Sequence, residues 1–267
     1  MAPGWRFRLV MFGAWMGAAY LIIPMLVIFP VSFTDKRYLS LPELGSYSFR
    51  HYQTLLDPVW LSSIWQSIIV GLGCVIVSTV LGTLAAVGIW RMRNAFSDIL
   101  FGFAVLPLVV PPIATALGMY GVWHRLGLFD SYVGTILTHS AWAVGFVVIT
   151  VFASLSNVDQ TWERAARNLG ANSFQSTVMV LVPNVMPGIL SGALFAFVIS
   201  WDEVVLTLFV TSREINTLPK QIFVAVRDNV DPAIAAVASL MVVVTILAVA
   251  GHSLFSVWRQ KENSKHE

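Results

Sequence analysis

Six apolar runs, each long enough to cross a lipid bilayer, constrain this chain more than any other feature. They fall at about residues 9–32, 64–90, 99–123, 133–155, 185–210 and 233–258. A helix rising ~1.5 Å per residue needs about 20 apolar residues to span ~30 Å of hydrocarbon. Water is absent there, so every backbone amide must be satisfied within a helix or a closed barrel, and barrel strands run to only ~10 residues. The expected fold class is therefore an all-α membrane protein with six transmembrane helices. The chain is 57% hydrophobic and 11% charged, whereas a soluble domain carries about 25% charged residues; its mean hydropathy is +0.76. No low-complexity tract or long linker interrupts the pattern, so residues 1–267 read as one transmembrane domain. Cys74 lies inside an apolar run, has no second cysteine to pair with, and reads as a small packing residue. A net charge of +2 without a basic, aromatic-interleaved patch argues against a nucleic-acid partner.

An even number of spans puts both termini on one side. Arg6 and Arg8 precede a first run that is too long for a removable signal peptide and lacks a small-residue cleavage site, so it reads as a retained anchor. With both termini cytoplasmic, basic residues number nine inside and seven outside. Arg91 and Arg93, in the short turn after the second run, weigh most in that bias. The outer loops at 34–63 and 211–232 suit either contact with an extracytoplasmic partner or an interfacial position with aromatics at the headgroups.

Two membrane-depth features suit a transport path. Asp202 and Glu203 fall in AFVISWDEVVLTLFV, and a carboxylate near the bilayer centre costs about 2.5–3.5 kcal/mol, so such residues usually face a bundle interior or water. Counted from residue 185, Asp202 lies roughly 25 Å along the span, past the midplane toward the outside. Consecutive helical residues diverge by about 100°, so the pair is not expected to line one path equally. Trp201 adds an aromatic face suited to an ammonium group, although tryptophans on membrane helices also serve as packing or interface anchors. Pro107, Pro111 and Pro112 predict a break in the third span, of the kind transporters use around substrate. His139 suits either titration or a bond to a neighbouring helix. The residues alone leave open a self-sufficient secondary transporter using the two carboxylates for ion coupling.

Between the fourth and fifth runs lies a polar, helix-prone segment, about 156–184, containing ERAARNLGANSFQSTVMVLVP. A helix is predicted to stop at Gly170. The order resembles the EAA signature of ABC importer permeases: Ala165 and Ala166 match its alanines, Gly170 its glycine, and Val180, Val182 and Pro183 its I-x-L-P ending. The acidic position holds Arg164, with Glu163 one residue earlier. Arg164 is not expected to reproduce the motif's acidic contact, which leaves Glu163 or Arg167 to make a charged contact instead. The wider arrangement, from WQSIIVGLGCVIVSTVLGTLAAVGIWRMRN through LTHSAWAVGFVVITVFASL to FAFVISWDEVVLTLFVTS, is similar to the polyamine-type ABC permeases, particularly the second permease of the spermidine/putrescine importers.

That resemblance implies a type I ABC importer permease (MetI-like) fold in a bacterial inner membrane. It also implies a second homologous permease, a cytoplasmic ATPase dimer that carries ATP and Mg, and an extracytoplasmic substrate-binding protein. Glu163, Arg164, Ala165, Ala166, Arg167 and Gly170 would form the ATPase-coupling segment, and Asp202, Glu203 and Trp201 the substrate path. Related permeases handle opines, amino-acid-like compounds and phosphonates as well as amines. No G-x-x-x-x-G-K-[ST] loop is present, so ATP hydrolysis is expected on a separate subunit. The GILSG at Gly188 does not match a nucleophile elbow, and no metal-ligand cluster appears.

Overall fold

Prolines cut the third apolar run, whereas Pro24 and Pro30 in the first and Pro187 in the fifth lie inside continuous helices. The computed structural model of the chain describes residues 5–43, 45–92, 94–228 and 231–247, which contain helices and no strand. Four described helical runs are long and apolar enough to cross a membrane: α1 (Trp5–Ser32), α3 (Pro58–Met92), α6 (Tyr132–Leu155) and the continuous run Ser173–Asp202. A fifth span is counted if α4 (Ala95–Val105) and α5 (Pro112–Leu126) are one bent span. The sixth expected run is described only as the helix Ala233–Leu247, and its last residues, like Arg93, lie outside the described residues.

The chain falls into two compact units, one comprising 1–61 with 222–267 and the other 62–221. In the first, the short α2 (Arg50–Thr54) carries Tyr52, whose hydroxyl lies 2.7 Å from Ser32 Oγ and 2.8 Å from Ser239 Oγ. The Tyr52 ring packs against Phe33 and Phe49, and the buried His51 places Nε2 3.0 Å from the Lys36 carbonyl.

The second unit is built on α6. The run Ser173–Asp202 begins with α8 (Ser173–Ser176), passes a π-helical turn at Thr177–Leu181 and continues as α9 (Val182–Asp202). Gly188 and Gly192, one helical turn apart, let α9 press closely on α6. A Cβ at Gly188 would meet Ser154 Oγ and lie 2.7 Å from the Thr150 carbonyl; one at Gly192 would lie 2.6 Å from Thr150 Oγ1. Small residues at this spacing let membrane helices pack by van der Waals contact where no hydrophobic drive exists. Val147, Val151, Leu155, Leu181, Val185 and Ala196 are fully buried in the resulting core.

The predicted break in the third span is large. α4 ends in a 3-10 turn at Leu106–Leu108, and α5 departs at 94°. Pro107, Pro111 and Pro112 remove backbone donors, and Pro112 opens α5 at its first position, where no intrahelical donor is needed. The carbonyl of Pro107 accepts a 2.8 Å hydrogen bond from Trp142 Nε1 on α6, so protein satisfies the broken backbone. The fifth run also differs from the single span expected to reach residue 210. α9 stops at Asp202, and a separate α10 (Val205–Val210) follows an extended Glu203.

Candidate functional site at α7 and the α9 break

The segment between α6 and α9 folds as a capped helix with a sharp exit. α7 (Gln160–Asn168) starts where the Asp159 side chain accepts from Thr161 N at 2.9 Å. It ends on Gly170, whose φ of +93° is the left-handed conformation that glycine adopts without a Cβ penalty. Gly170 N–H reaches the Arg167 carbonyl at 3.0 Å and Ala171 N–H the Ala166 carbonyl at 3.1 Å, the paired bonds of a Schellman stop. Asn172 and Gln175 then form a capping box that opens α8.

Within this frame Glu163 turns inward. Its carboxylate accepts from Arg91 Nη2 at 2.7 Å, Arg167 Nη2 at 2.8 Å and Ser176 Oγ at 3.2 Å, and the residue is 6% exposed. Burial alone would raise its pKa. The hydrogen bonds from Arg91 and Arg167, the charge of Arg91 and the Ser176 hydroxyl outweigh burial and hold it below the ordinary carboxylate value. Arg91, at the end of α3, also donates to Thr177 Oγ1 at 2.6 Å, so one guanidinium ties α3, α7 and the π turn together. Its position near a span end marked it as a topological signal; its clamping role depends on a partner 72 residues away.

Arg164 and Ala165 are exposed, Ala166 half-buried and Arg167 exposed. Trp162, Ala165 and Leu169 share one face of α7 by their spacing. Leu169 is 90% exposed, and Phe174 on α8 is 75% exposed. The motif region thus shows an apolar face beside a cationic flank.

At the α9 break the two carboxylates separate. Asp202 is exposed, while Glu203 is buried and its Oε1 accepts from Leu206 N at 2.8 Å, capping the restart of the chain into α10. Trp201 is half-buried, with its ring 5.6 Å from that of Phe197 in a stacked arrangement. His139, fully enclosed on α6, sets Nδ1 2.9 Å from Ser200 Oγ and Nε2 3.0 Å from Thr207 Oγ1, so it bonds to helical residues on both sides of the break. Thr207 Oγ1 in turn donates to the Glu203 carbonyl.

The loop after α10 holds a cluster that sequence reading passed over. The Asp130 carboxylate accepts from the backbone N–H groups of Ser212, Arg213, Glu214 and Ile215 at 2.8–3.1 Å. Burial opposes its ionisation, but these four donors together hold its pKa below the usual value. Lys220 is buried, and burial pushes its pKa down; its ammonium donates to Thr211 Oγ1, Ser212 O and Ile215 O. The only advance signal at Asp130 was an aspartate in a short loop between two helices, a type that tolerates its positive φ of 57°.

Residues 78–256 match the family described as binding-protein-dependent transport system inner membrane component. The chain belongs to this family. Among the relatives of this inner membrane component is the putrescine transport system permease protein PotI of Escherichia coli (strain K12), 30% identical over 262 residues, 95% of this chain and 89% of PotI. The spermidine/putrescine transport system permease protein PotC of the same strain is 27% identical over 247 residues, 92% of this chain and 93% of PotC. The fold is shared with a chain of a bacterial ABC transporter involved in the import of the acidic polysaccharide alginate. The TM-score is 0.70 at 18% identity, covering 96% of this chain and 99% of the other.

Proposed function

We propose that this chain is one permease subunit of an ATP-driven ABC importer and forms half of the path for a small cationic amine of the polyamine class, delivered by an extracytoplasmic binding protein. The observation that carries this reading is the end-to-end similarity to PotI and PotC. The geometry of α7 is consistent with it: a helix capped at both ends displays Leu169 and Trp162 outward while its acid is held inward.

In this reading the whole chain is one permease domain of the type I (MetI-like) fold, with six spans in a bacterial inner membrane and both termini cytoplasmic. It pairs with a second homologous permease. ATP and Mg bind on a cytoplasmic ATPase dimer, where hydrolysis occurs, so this subunit is not itself an enzyme. The coupling segment, from Glu163, Arg164, Ala165, Ala166 and Arg167 to Gly170, docks in that dimer. Closure of the dimer moves α7, and the clamp through Arg91 carries the movement to α3 and to the start of α9. The path alternates because the ATPase makes different contacts with its two states. Asp202, exposed beside Trp201, is the carboxylate that meets the amine, and the buried Glu203 supports the break.

The test is uptake of labelled putrescine or spermidine by vesicles holding the reconstituted complex with its binding protein. ATP-dependent uptake that disappears when any subunit is left out is expected. Amine uptake by this chain alone under an ion gradient would replace this reading with the secondary transporter. ATP-driven uptake of an opine, amino-acid-like compound or phosphonate in place of the amine would keep the machinery and change the cargo.

A further inference from the structure

We propose that α7 presents a cationic notch that takes a single carboxylate side chain from the ATPase, with Arg164 as its principal ligand. The inference rests on the docking reading above and deepens it by giving the chemistry of the contact.

The notch is a hollow of about 210 Å³ lined by Arg91, Gln160, Glu163, Arg164 and Arg167. Three guanidinium groups therefore surround one carboxylate, leaving two positive charges in excess. That carboxylate is already engaged: Glu163 Oε1 accepts from Arg91, Arg167 and Ser176. Arg164 is exposed and makes no hydrogen bond or ion pair among the described residues. The motif position that usually carries an acid thus carries a base with no partner among the described residues, and the neighbouring acid is withdrawn. At this position the outward charge is inverted, and the exposed Asp159, which caps α7, lines not the notch but the adjoining hollow that shares Arg164.

The occupant follows from charge and setting. A planar guanidinium fork suits a carboxylate in two-point contact. The hollow is small, and the same short segment exposes Trp162, Leu169 and Phe174, whose burial against a partner would exclude water from the ion pair. Complementary charge in such a setting fixes register and partner choice more than it adds raw affinity. We therefore assign the notch to an Asp or Glu of the ATPase groove.

The experiment uses the complex of this chain, the second permease and the ATPase encoded with it, purified in detergent. ATPase retention is measured across a salt series for wild type, Arg164→Lys, Arg164→Glu and Leu169→Asp. Arg164→Glu is expected to weaken retention at low salt tenfold or more and to abolish its decline with salt, while Arg164→Lys keeps most of both. Reversal of one acidic groove residue to Lys should rescue Arg164→Glu. If Arg164→Glu retains the ATPase like wild type while Leu169→Asp loses it, the carboxylate contact is wrong and the docking reading survives. If both variants retain it fully, docking fails as well. Loss of retention with no rescuing reversal overturns the assignment. The series is repeated with the complex in vesicles containing anionic lipid, and an effect of Arg164→Glu seen there but not in detergent makes the notch a headgroup site and also overturns the assignment.

Discussion

Removing the carboxylate of Glu163 should loosen α7 from the rest of the second unit without unfolding it. The Glu163 side chain is 8% exposed, that of Arg91 27% and that of Arg167 48%. A charge-assisted hydrogen bond to a largely buried partner contributes about 1.5–3 kcal/mol. The exposed Arg167 pair at i,i+4 adds only about 0.3–0.5 kcal/mol. Glu163→Ala also leaves Arg91 beside Thr177 without its counter-charge, so a local loss of about 2–3 kcal/mol is expected, equivalent to roughly 30- to 150-fold in the opening equilibrium. Native-state hydrogen exchange of the α7 amides reads that equilibrium directly. Protection should fall by this factor in α7 and much less in α6. Arg91→Ala should match it, and the double variant should lose far less than the two single losses combined. A pH series supplies the sign. The folded pKa of Glu163 is depressed from 4.5, so its contribution is complete above that value and drains away as pH falls through the lower folded value. Glu163→Gln should lack that acid-dependent step. Wild-type protection of α7 in Glu163→Ala, within twofold, would refute the clamp.

Four further outcomes are expected. Gly192→Leu should reduce thermal stability of the purified protein by about 1–3 kcal/mol or more, since even its Cβ would lie 3.0 Å from Val147 Cα on α6; an unchanged melting profile counts against close α6–α9 packing. Gly170→Val places a β-branched residue at φ +93° and should cost about 1–3 kcal/mol, visible as faster exchange at the end of α7. Asp130→Ala removes the acceptor for four loop amides, and those at 212–215 should exchange faster; in wild type their protection should weaken on acidification through the depressed pKa of Asp130. Asp202→Asn should lower transport of a cationic amine with assembly intact, whereas Glu203→Gln should show its main effect in stability; the reverse pattern would exchange their roles.

Much of this architecture was legible because it depends on local chemistry. Gly170 ends α7 as its residue type demands, and the prolines at 107, 111 and 112 marked a discontinuity. The angle of that discontinuity was not legible, because it depends on Trp142 meeting the Pro107 carbonyl and on Gly145 admitting Leu108. The break at Glu203 was hidden for a similar reason. SWDEVVLTLFV reads as one continuous span carrying two carboxylates, and the interruption is held by contacts made only in the fold, a capping carboxylate and an imidazole from α6 among them. The inward turn of Glu163 was equally invisible, since ERAAR suits either orientation until Arg91 is brought beside it. The close-packed α6–α9 pair did leave a trace in the G-x-x-x-G spacing of Gly188 and Gly192, which a search for catalytic motifs passed over.

A helix interrupted in mid-course ordinarily behaves as a swivel, yet the interruption after Asp202 is braced. His139 grips Ser200 on one side and Thr207 on the other; Thr207 passes its carbonyl to the Thr211 hydroxyl, and Thr211 receives the Lys220 ammonium. Val210 is joined to Asp130, which holds the next turn of chain by four amides. Torque applied to the loop at 211–216 therefore has no slack joint in which to dissipate. The expected consequence is that such a torque reaches Asp202 as rotation of a braced unit, with the backbone around the break keeping its hydrogen bonds.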